Sequence, residues 1–368
     1  MRERRTSVPN MRLVSLFSGC GGLDLGLTAA GFTPVMALDH DEWCSKSHQA
    51  NFPGVPFFRG SVADMDKDSA AELSGGETLK DIALLAGGPP CPPYSKSRFY
   101  RKEMPRGLAD PVGEVTIRGY LSFLRFIQPQ AFLLENVAGL AYDVHGDALR
   151  YIIDAAKSEG YHCSYRVVNS ADYGVPQIRE RLFVVGMRDA PFEFPEPTHR
   201  NPSKTTNLLS PPLPPWRTAG EVLYDLDTED NAGDKGHFAG GSYHELLRQI
   251  PPGDNYLFFT AKRGHPNPLF EWRSRYWSYL LKLSPDLPSW TIQARRSNNM
   301  GPFHWRNRIL RIAEIKRLQT FPDHWTVAGT VERQWRQLGN AVPPLLAQVL
   351  GREIAKRLNV AAKVAQAS

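Results

Sequence analysis

The segment Arg12-Leu-Val-Ser-Leu-Phe17-Ser18-Gly19-Cys20-Gly21-Gly22 decides the fold. An apolar run of strand length enters a turn with three glycines, and helical periodicity takes over at once across 23–30. Strand, glycine turn and helix together open a βα unit. Further short runs rich in Val, Ile, Leu and Phe stand at 34–39, 82–86, 131–135, 164–168 and 182–187, with helical patterning at 42–51, 120–127 and 148–158. The alternation predicts an α/β fold, an open and mostly parallel Rossmann-like sheet. In such sheets ligands bind beyond the carboxyl ends of the strands, so residues that directly follow a strand are the candidates for chemistry.

At the first strand end the glycine turn is followed by Asp39, an acid 20 residues after Gly19 that closes the second strand. The pattern is a weak dinucleotide signature, because the third glycine of G-x-G-x-x-G is replaced by Asp24. A carboxylate in the first helical turn disfavours a pyrophosphate but not a sulfonium cation, which favours S-adenosylmethionine over NAD. Asp39 can then accept from both ribose hydroxyls. A tight strand-to-helix turn with no ligand is the plain alternative.

A later strand leads into Gly87-Gly88-Pro89-Pro90-Cys91-Pro92-Pro93, which holds Cys91 in a rigid turn. The cations that follow (Lys96, Arg98, Arg101, Lys102, Arg106) favour a thiolate, although a buried small thiol is the commoner role of an isolated cysteine. Residues 95–113 read as a loop able to close over a ligand. The next strand ends in Glu135-Asn136-Val137, where a partly desolvated carboxylate can act as an acid or bond a ring nitrogen. Arg179 and Arg181, two positions apart, can share one side of an extended segment; surface salt bridging is the alternative.

The 368 residues, 42% hydrophobic and 22% charged, exclude a disordered or collagen-like chain. No apolar run approaches the length needed to cross a bilayer, and the basic N-terminus lacks the apolar stretch of a secretory signal, so a soluble, cytosolic protein is expected. The four cysteines have no clip spacing and read as reduced thiols; no metal site is expected. A domain boundary is placed in 189–216, which holds eight prolines. Beyond it, 256–305 is crowded with aromatics and arginines, and helical patterning returns at 309–320 and 340–358. The net charge of +6 is uneven: the stretch 262–317 carries +9, which leaves −3 for the remainder. Aromatics among arginines suit a nucleic acid, whereas a solvated basic face is the simpler reading.

Taken in order, Phe17-x-Gly-x-Gly-Gly, Pro-Pro-Cys91, Glu135-Asn136-Val137, Gln177-x-Arg179-x-Arg181, Arg308 with Glu314 and Gln319-x-Phe-Pro-Asp, and Gln337-Leu-Gly-Asn340-Ala-Val342-Pro closely resemble the motifs of bacterial DNA cytosine-C5 methyltransferases of the restriction-modification kind. The resemblance spans about 12–358 apart from the middle of the second half. It implies a Rossmann-like S-adenosylmethionine-dependent domain with a smaller, irregular target-recognition domain. The boundaries expected are a tail (1–11), a catalytic and cofactor domain (12–190), a recognition domain (191–307), and a hinge with a C-terminal helix that completes the catalytic domain (308–368). Cys91, Glu135, Arg179 and Arg181 are then catalytic, with Cys91 adding to C6 of a flipped-out cytosine, Glu135 at N3 and Arg181 at O2. Phe17, Ser18, Gly19, Gly21, Gly22, Asp39, His40, Ser61, Val62, Pro89, Asn340 and Val342 are implied to hold S-adenosylmethionine, the product being S-adenosylhomocysteine. Ser95, Lys96, Arg98, Arg263, Arg273, Arg275, Arg295 and Arg296 are the expected contacts to duplex DNA. A monomer in the bacterial cytosol, associated with the nucleoid and matched by an endonuclease for the same site, completes the expectation. Three departures bear on the cofactor or the loop: Pro92 in place of a glutamine, Ser61 in place of an acid, and His40 in place of an aromatic. An RNA cytosine methyltransferase on the same scaffold, or a silent DNA-binding protein, are the competing readings.

Overall fold

In the computed structural model, β1 (Arg12–Leu16) lies inside a seven-stranded sheet. The structure describes residues 11–73, 79–90, 111–142, 146–203, 213–228, 241, 243–273 and 276–367. Cys91, Ser95, Lys96, Arg98 and Arg275 lie outside the described residues. Contacts divide the chain into two units, Met1–Asn169 with Glu180–Glu196 and Pro344–Ser368, and Ser170–Arg179 with Pro197–Pro343. This line differs from the expected boundaries: 170–179 and 308–343 join the second unit, and only the segment from Pro344 onward joins the first.

In the first unit the sheet runs β3 (Phe57–Arg59), β2 (Thr33–Asp39), β1, β4 (Leu84–Gly87), β5 (Ala131–Val137), β8 (Glu180–Met187), β6 (His162–Asn169); β7 (Gln177–Ile178) belongs to the second unit. The first five are mutually parallel, and β8 is antiparallel to both its neighbours, so the sheet is mixed. Val14 and Leu16, Phe132 and Leu134, and Leu182 and Val184 share one core with Tyr120 and Phe123 of α4 (Pro111–Ile127) and Ile152 of α5 (Gly146–Ser158). Leu13, Leu133 and Val185, which alternate to the opposite face, are buried as well. Burial of both faces explains why these strands read as unbroken apolar runs. The Tyr120 hydroxyl donates toward the carbonyls of Leu85 (3.2 Å) and Leu133 (3.1 Å), tying α4 to β4 and β5.

Helix α1 (Gly22–Ala29) packs on the last helix, α10 (Pro344–Ala367), more than 300 positions away. Gly26 permits the approach, since a Cβ there would stand 2.5 Å from that of Ala347. A single helix was expected over 340–358. Instead α9 (Val331–Asn340) ends where that helix was to begin, and α10 starts at Pro344, because a proline is accepted in the first turn but not inside a helix. Strand β3, α2 (Glu42–Asn51) before it and α3 (Lys67–Leu73) after it complete the unit's βα pattern; β3 is too short to register as a periodic signal. Among the described residues no helix is long and apolar enough to cross a membrane.

The second unit is built from short pieces: α6 (Ala219–Leu223), α7 (His244–Leu247), β9 (Ser289–Trp290), α8 (Ile312–Leu318) and α9. Its one described ladder pairs β7 with β9 in parallel, Gln177 opposite Ser289. Tyr243, Tyr256, Phe270 and Tyr279 meet edge to face with centroids 5.2–6.1 Å apart, a cluster in which Tyr256 is buried and Tyr243 exposed. Trp277 meets Trp290 at a tilt of 59° with centroids 4.9 Å apart, both about two-fifths exposed, while the Lys262 ammonium lies 4.4 Å over the ring of Trp272.

Candidate active site

The order of the strands reverses between β2, β1 and β4, and the glycine turn lies at that reversal. Phe17, Gly19 and Gly21 all have positive φ (55°, 56° and 85°), which folds the backbone back over the end of β1. Glycine relieves the strain at two of the three. Ser18 fixes the turn by accepting from the Leu38 N–H (3.2 Å) while its own N–H donates to the Leu38 carbonyl (3.0 Å). Asp39 then accepts from the Gly19 N–H (2.9 Å) with one oxygen and from the Asp41 N–H (2.9 Å) with the other. Burial pushes the Asp39 carboxyl above its ordinary range, and these two N–H groups oppose that. Above Gly19 the space is open, with no atom within 4 Å of a Cβ built there.

The departures noted in the sequence have definite places. His40 is largely exposed with Nδ1 3.5 Å from Asp39 Oδ1, so it borders the acid without covering it. Ser61 caps a 3-10 turn, accepting from the Ala63 N–H (3.2 Å), and its own N–H donates to Asp64 Oδ2 (3.3 Å). Val62 is buried against Gly119 in the core, which commits its side chain to packing. Asp24, in the first turn of α1, is wholly buried; among the described residues its oxygens make no hydrogen bond, and His48 Nε2 stands 3.5 Å away, its ring packed on Phe52 and Phe57. Its charge is still felt at the turn, where it helps raise the Cys20 thiol.

At the end of β4, Gly88 comes so close to β5 that a Cβ would lie 3.0 Å from Glu135 Oε2, and Asn136 Nδ2 donates to the Pro89 carbonyl (3.2 Å). Gly88 and Pro89 are thereby held beside the carboxylate of Glu135. The remaining thiols are poor nucleophiles: burial pushes Cys20 to about 12 and Cys163 to about 11, and raises Cys44 as well. All three are free.

Register brings Arg181 to Glu135. Val137 of β5 stands opposite Arg181 of β8, and the Arg181 Nε lies 3.0 Å from Glu135 Oε1, with the side chains 16% and 11% exposed. An adjacent guanidinium and carboxylate, held on neighbouring strands, present donors and acceptors in one plane. Such a pair can hold an amide-like ring edge that offers a carbonyl oxygen, a ring nitrogen and an amino group.

Arg179, expected beside Arg181 as its support, is engaged with backbone. It is 1% exposed, and its guanidinium donates to the carbonyls of Ile292 (3.2 Å) and Gly339 (2.9 Å), so those donors serve the second unit's backbone. Gln177 behaves alike: its side chain accepts from the Ile292 N–H (3.1 Å) and donates to Gln319 Oε1 (3.0 Å). Arg308 and Glu314 form a fully buried ion pair. Asn340 is the exposed last residue of α9, and Val342 is buried. Several motif residues of the second unit are thus one scaffold, a role that sequence order does not reveal.

Of the expected DNA contacts, Arg263 is paired with Asp254 (2.6 Å), Arg273 with Glu271 (2.7 Å) and Arg296 with Glu332 (2.6 Å). Arg295 is exposed and makes no hydrogen bond or ion pair among the described residues.

A family model described as C-5 cytosine-specific DNA methylase matches residues 11–356. The chain is 38% identical over 369 residues to the Type II methyltransferase M.SacI of Streptomyces achromogenes, covering 94% of this chain and 93% of that one. With the Type II methyltransferase M.NgoFVII of Neisseria gonorrhoeae it shares 32% identity over 340 residues, 90% of this chain and 83% of the relative. Among solved structures, the fold is similar to that of an E. coli protein described as a DNA modification methyltransferase encoded within a prophage (TM-score 0.65, 23% identity, 95% and 99% of the two chains). The Entamoeba histolytica methyltransferase EhMeth is also similar in fold (TM-score 0.60, 15% identity, 95% and 99%).

Proposed function

The chain belongs to the C-5 cytosine-specific DNA methylase family, and from that premise we propose how its residues divide the work of methylating DNA. The observation that carries the reading is the Arg181–Glu135 pair, side by side next to the backbone that leads to Cys91. Glu135, carrying a proton once the base is bound, donates it to N3 and accepts from the amino group of the target cytosine, and Arg181 donates to O2. With the ring so bound, the Cys91 thiolate adds to C6, the 5,6 double bond opens, and the negative charge that develops is stabilised by the donors at O2 and N3. C5 thereby becomes nucleophilic and takes the methyl group. Loss of the C5 proton expels Cys91 and restores the ring.

The methyl donor is S-adenosylmethionine, whose bound form supplies an activated methyl group on sulfur. The glycine turn fits it, with open space above Gly19 and a buried carboxylate at Asp39 whose remaining lone pairs can accept from the ribose. Phe17, Ser18, Gly21, Gly22, His40, Ser61 and Pro89 would border that cofactor. A target base inside a duplex is out of reach, so it is flipped at a cost of a few kcal/mol, and the basic second unit offsets that by binding phosphates. The relatives are Type II methyltransferases, which supports a role in protecting DNA against an endonuclease of the same specificity. The enzyme works as a cytosolic monomer.

Duplex DNA containing 5-fluorocytosine at the target tests the mechanism, since fluorine cannot leave C5 as a proton does. A covalent adduct that requires both cofactor and Cys91 is expected. An adduct that persists in Cys91→Ser, or methyl transfer to tRNA in preference to duplex DNA, would overturn the assignment.

A further inference from the structure

We propose that Arg295 reads a guanine of the target sequence, and that Arg296 beside it is a positioning residue. This rests on the reading of the second unit as the DNA-recognition unit. Exposure alternates after β9: Ile292 is buried, Gln293 exposed, Ala294 half-buried, Arg295 exposed and Arg296 half-buried. The inward side is held by α9. The Trp335 indole donates to the Gln293 carbonyl (2.8 Å), a Cβ on Gly339 would stand 2.5 Å from that same carbonyl, and Arg296 meets Glu332 in the first turn of α9. The Arg179 guanidinium bridges the Ile292 and Gly339 carbonyls from the same side. The loop is therefore rigid along its back, while Gln293, Arg295 and Asn298 line a concavity of about 570 Å³ with side chains that make no hydrogen bond among the described residues.

Chemistry separates the two arginines. Arg296 is 14% exposed with a carboxylate at 2.6 Å, and engaging a base would require it to leave Glu332 and its half-buried place against α9. Arg263 and Arg273 likewise face carboxylates. Arg295 has its fork of donors free on a preorganised loop, the state from which bidentate bonding to guanine O6 and N7 costs least. Cytosine in a duplex always supplies at least one guanine, in its own base pair.

The test uses the full-length enzyme and duplexes of its mapped target in which each guanine in turn is replaced by 7-deazaguanine, which lacks the N7 acceptor. One such replacement is expected to slow the wild type by about 5- to 150-fold, the range for a bidentate pair, and to leave Arg295→Ala no slower than on the parent duplex. Arg295→Ala should also accept another base pair at that position. Arg296→Ala should slow all duplexes equally and keep the 7-deazaguanine effect. If Arg295→Ala instead loses the same factor on every duplex and lowers the salt slope by about one, it binds a phosphate and the proposal falls. A variant that stays sensitive to every replacement overturns it too. A wild type that labels no cytosine in any duplex would sink the underlying function, a result distinct from either.

Discussion

Arg181 Nε and Glu135 Oε1 are 3.0 Å apart across the antiparallel border of β5 and β8, both largely shielded from water. Each neutralises the other in the absence of substrate, so neither stands as an isolated buried charge. Glu135→Gln keeps the size and loses the charge. Single-turnover methylation should slow by about 100-fold or more, the effect of losing the proton donor that stabilises the charge developing in the ring, while the dissociation constant for DNA stays within a few-fold. Equal losses of rate and of binding would make the residue a structural partner of Arg181 only.

Gly26 offers a test of the packing between α1 and α10. An alanine in a helix interior ordinarily gains about 1 kcal/mol over glycine. Here the added methyl would lie 2.5 Å from Ala347 Cβ and closer still to the Pro344 carbonyl, so backbone must move. Gly26→Ala is expected to destabilise by about 1–3 kcal/mol in denaturant unfolding, as overpacking does. A gain in stability would show that α10 yields readily.

His304 ties the second unit's stability to pH. It is wholly buried, Nδ1 accepts from the Arg306 N–H (3.1 Å), and Nε2 lies 3.6 Å from Glu314. Burial, reinforced by Arg308, lowers its pKa from 6.5 to about 3. The unfolded chain takes up this proton near 6.5 and the folded chain only near 3, so stability falls as pH drops through that window and is level above it. Urea midpoints between pH 7 and 5, above the range of the carboxylates, isolate the effect. His304→Asn should flatten the slope, and an unchanged slope would assign it to another group.

Much of this was legible in the residues. The glycine turn follows β1, Asp39 closes β2, Gly88 and Pro89 follow β4 and Glu135 lies near the end of β5, and a strand end is a local pattern that survives any tertiary arrangement. Mixed direction in the sheet was not legible, because an apolar run looks the same whichever way its strand points. The helix expected from 340 starts at Pro344 instead: the prolines mark a first turn, but not which residue opens it.

What the sequence by itself determined is the family, the kind of chemistry and the residues with ionic or nucleophilic character, since these depend on residue type and order alone. Which of them remain available was decided only by tertiary structure. Asp24 lies inside against His48, Arg179 donates to two carbonyls, and Arg296 pairs with Glu332, 36 positions away, while its neighbour Arg295 has no partner among the described residues. A charge is active or silent according to what faces it, and the facing groups come from segments whose distance along the chain carries no information about their distance in space.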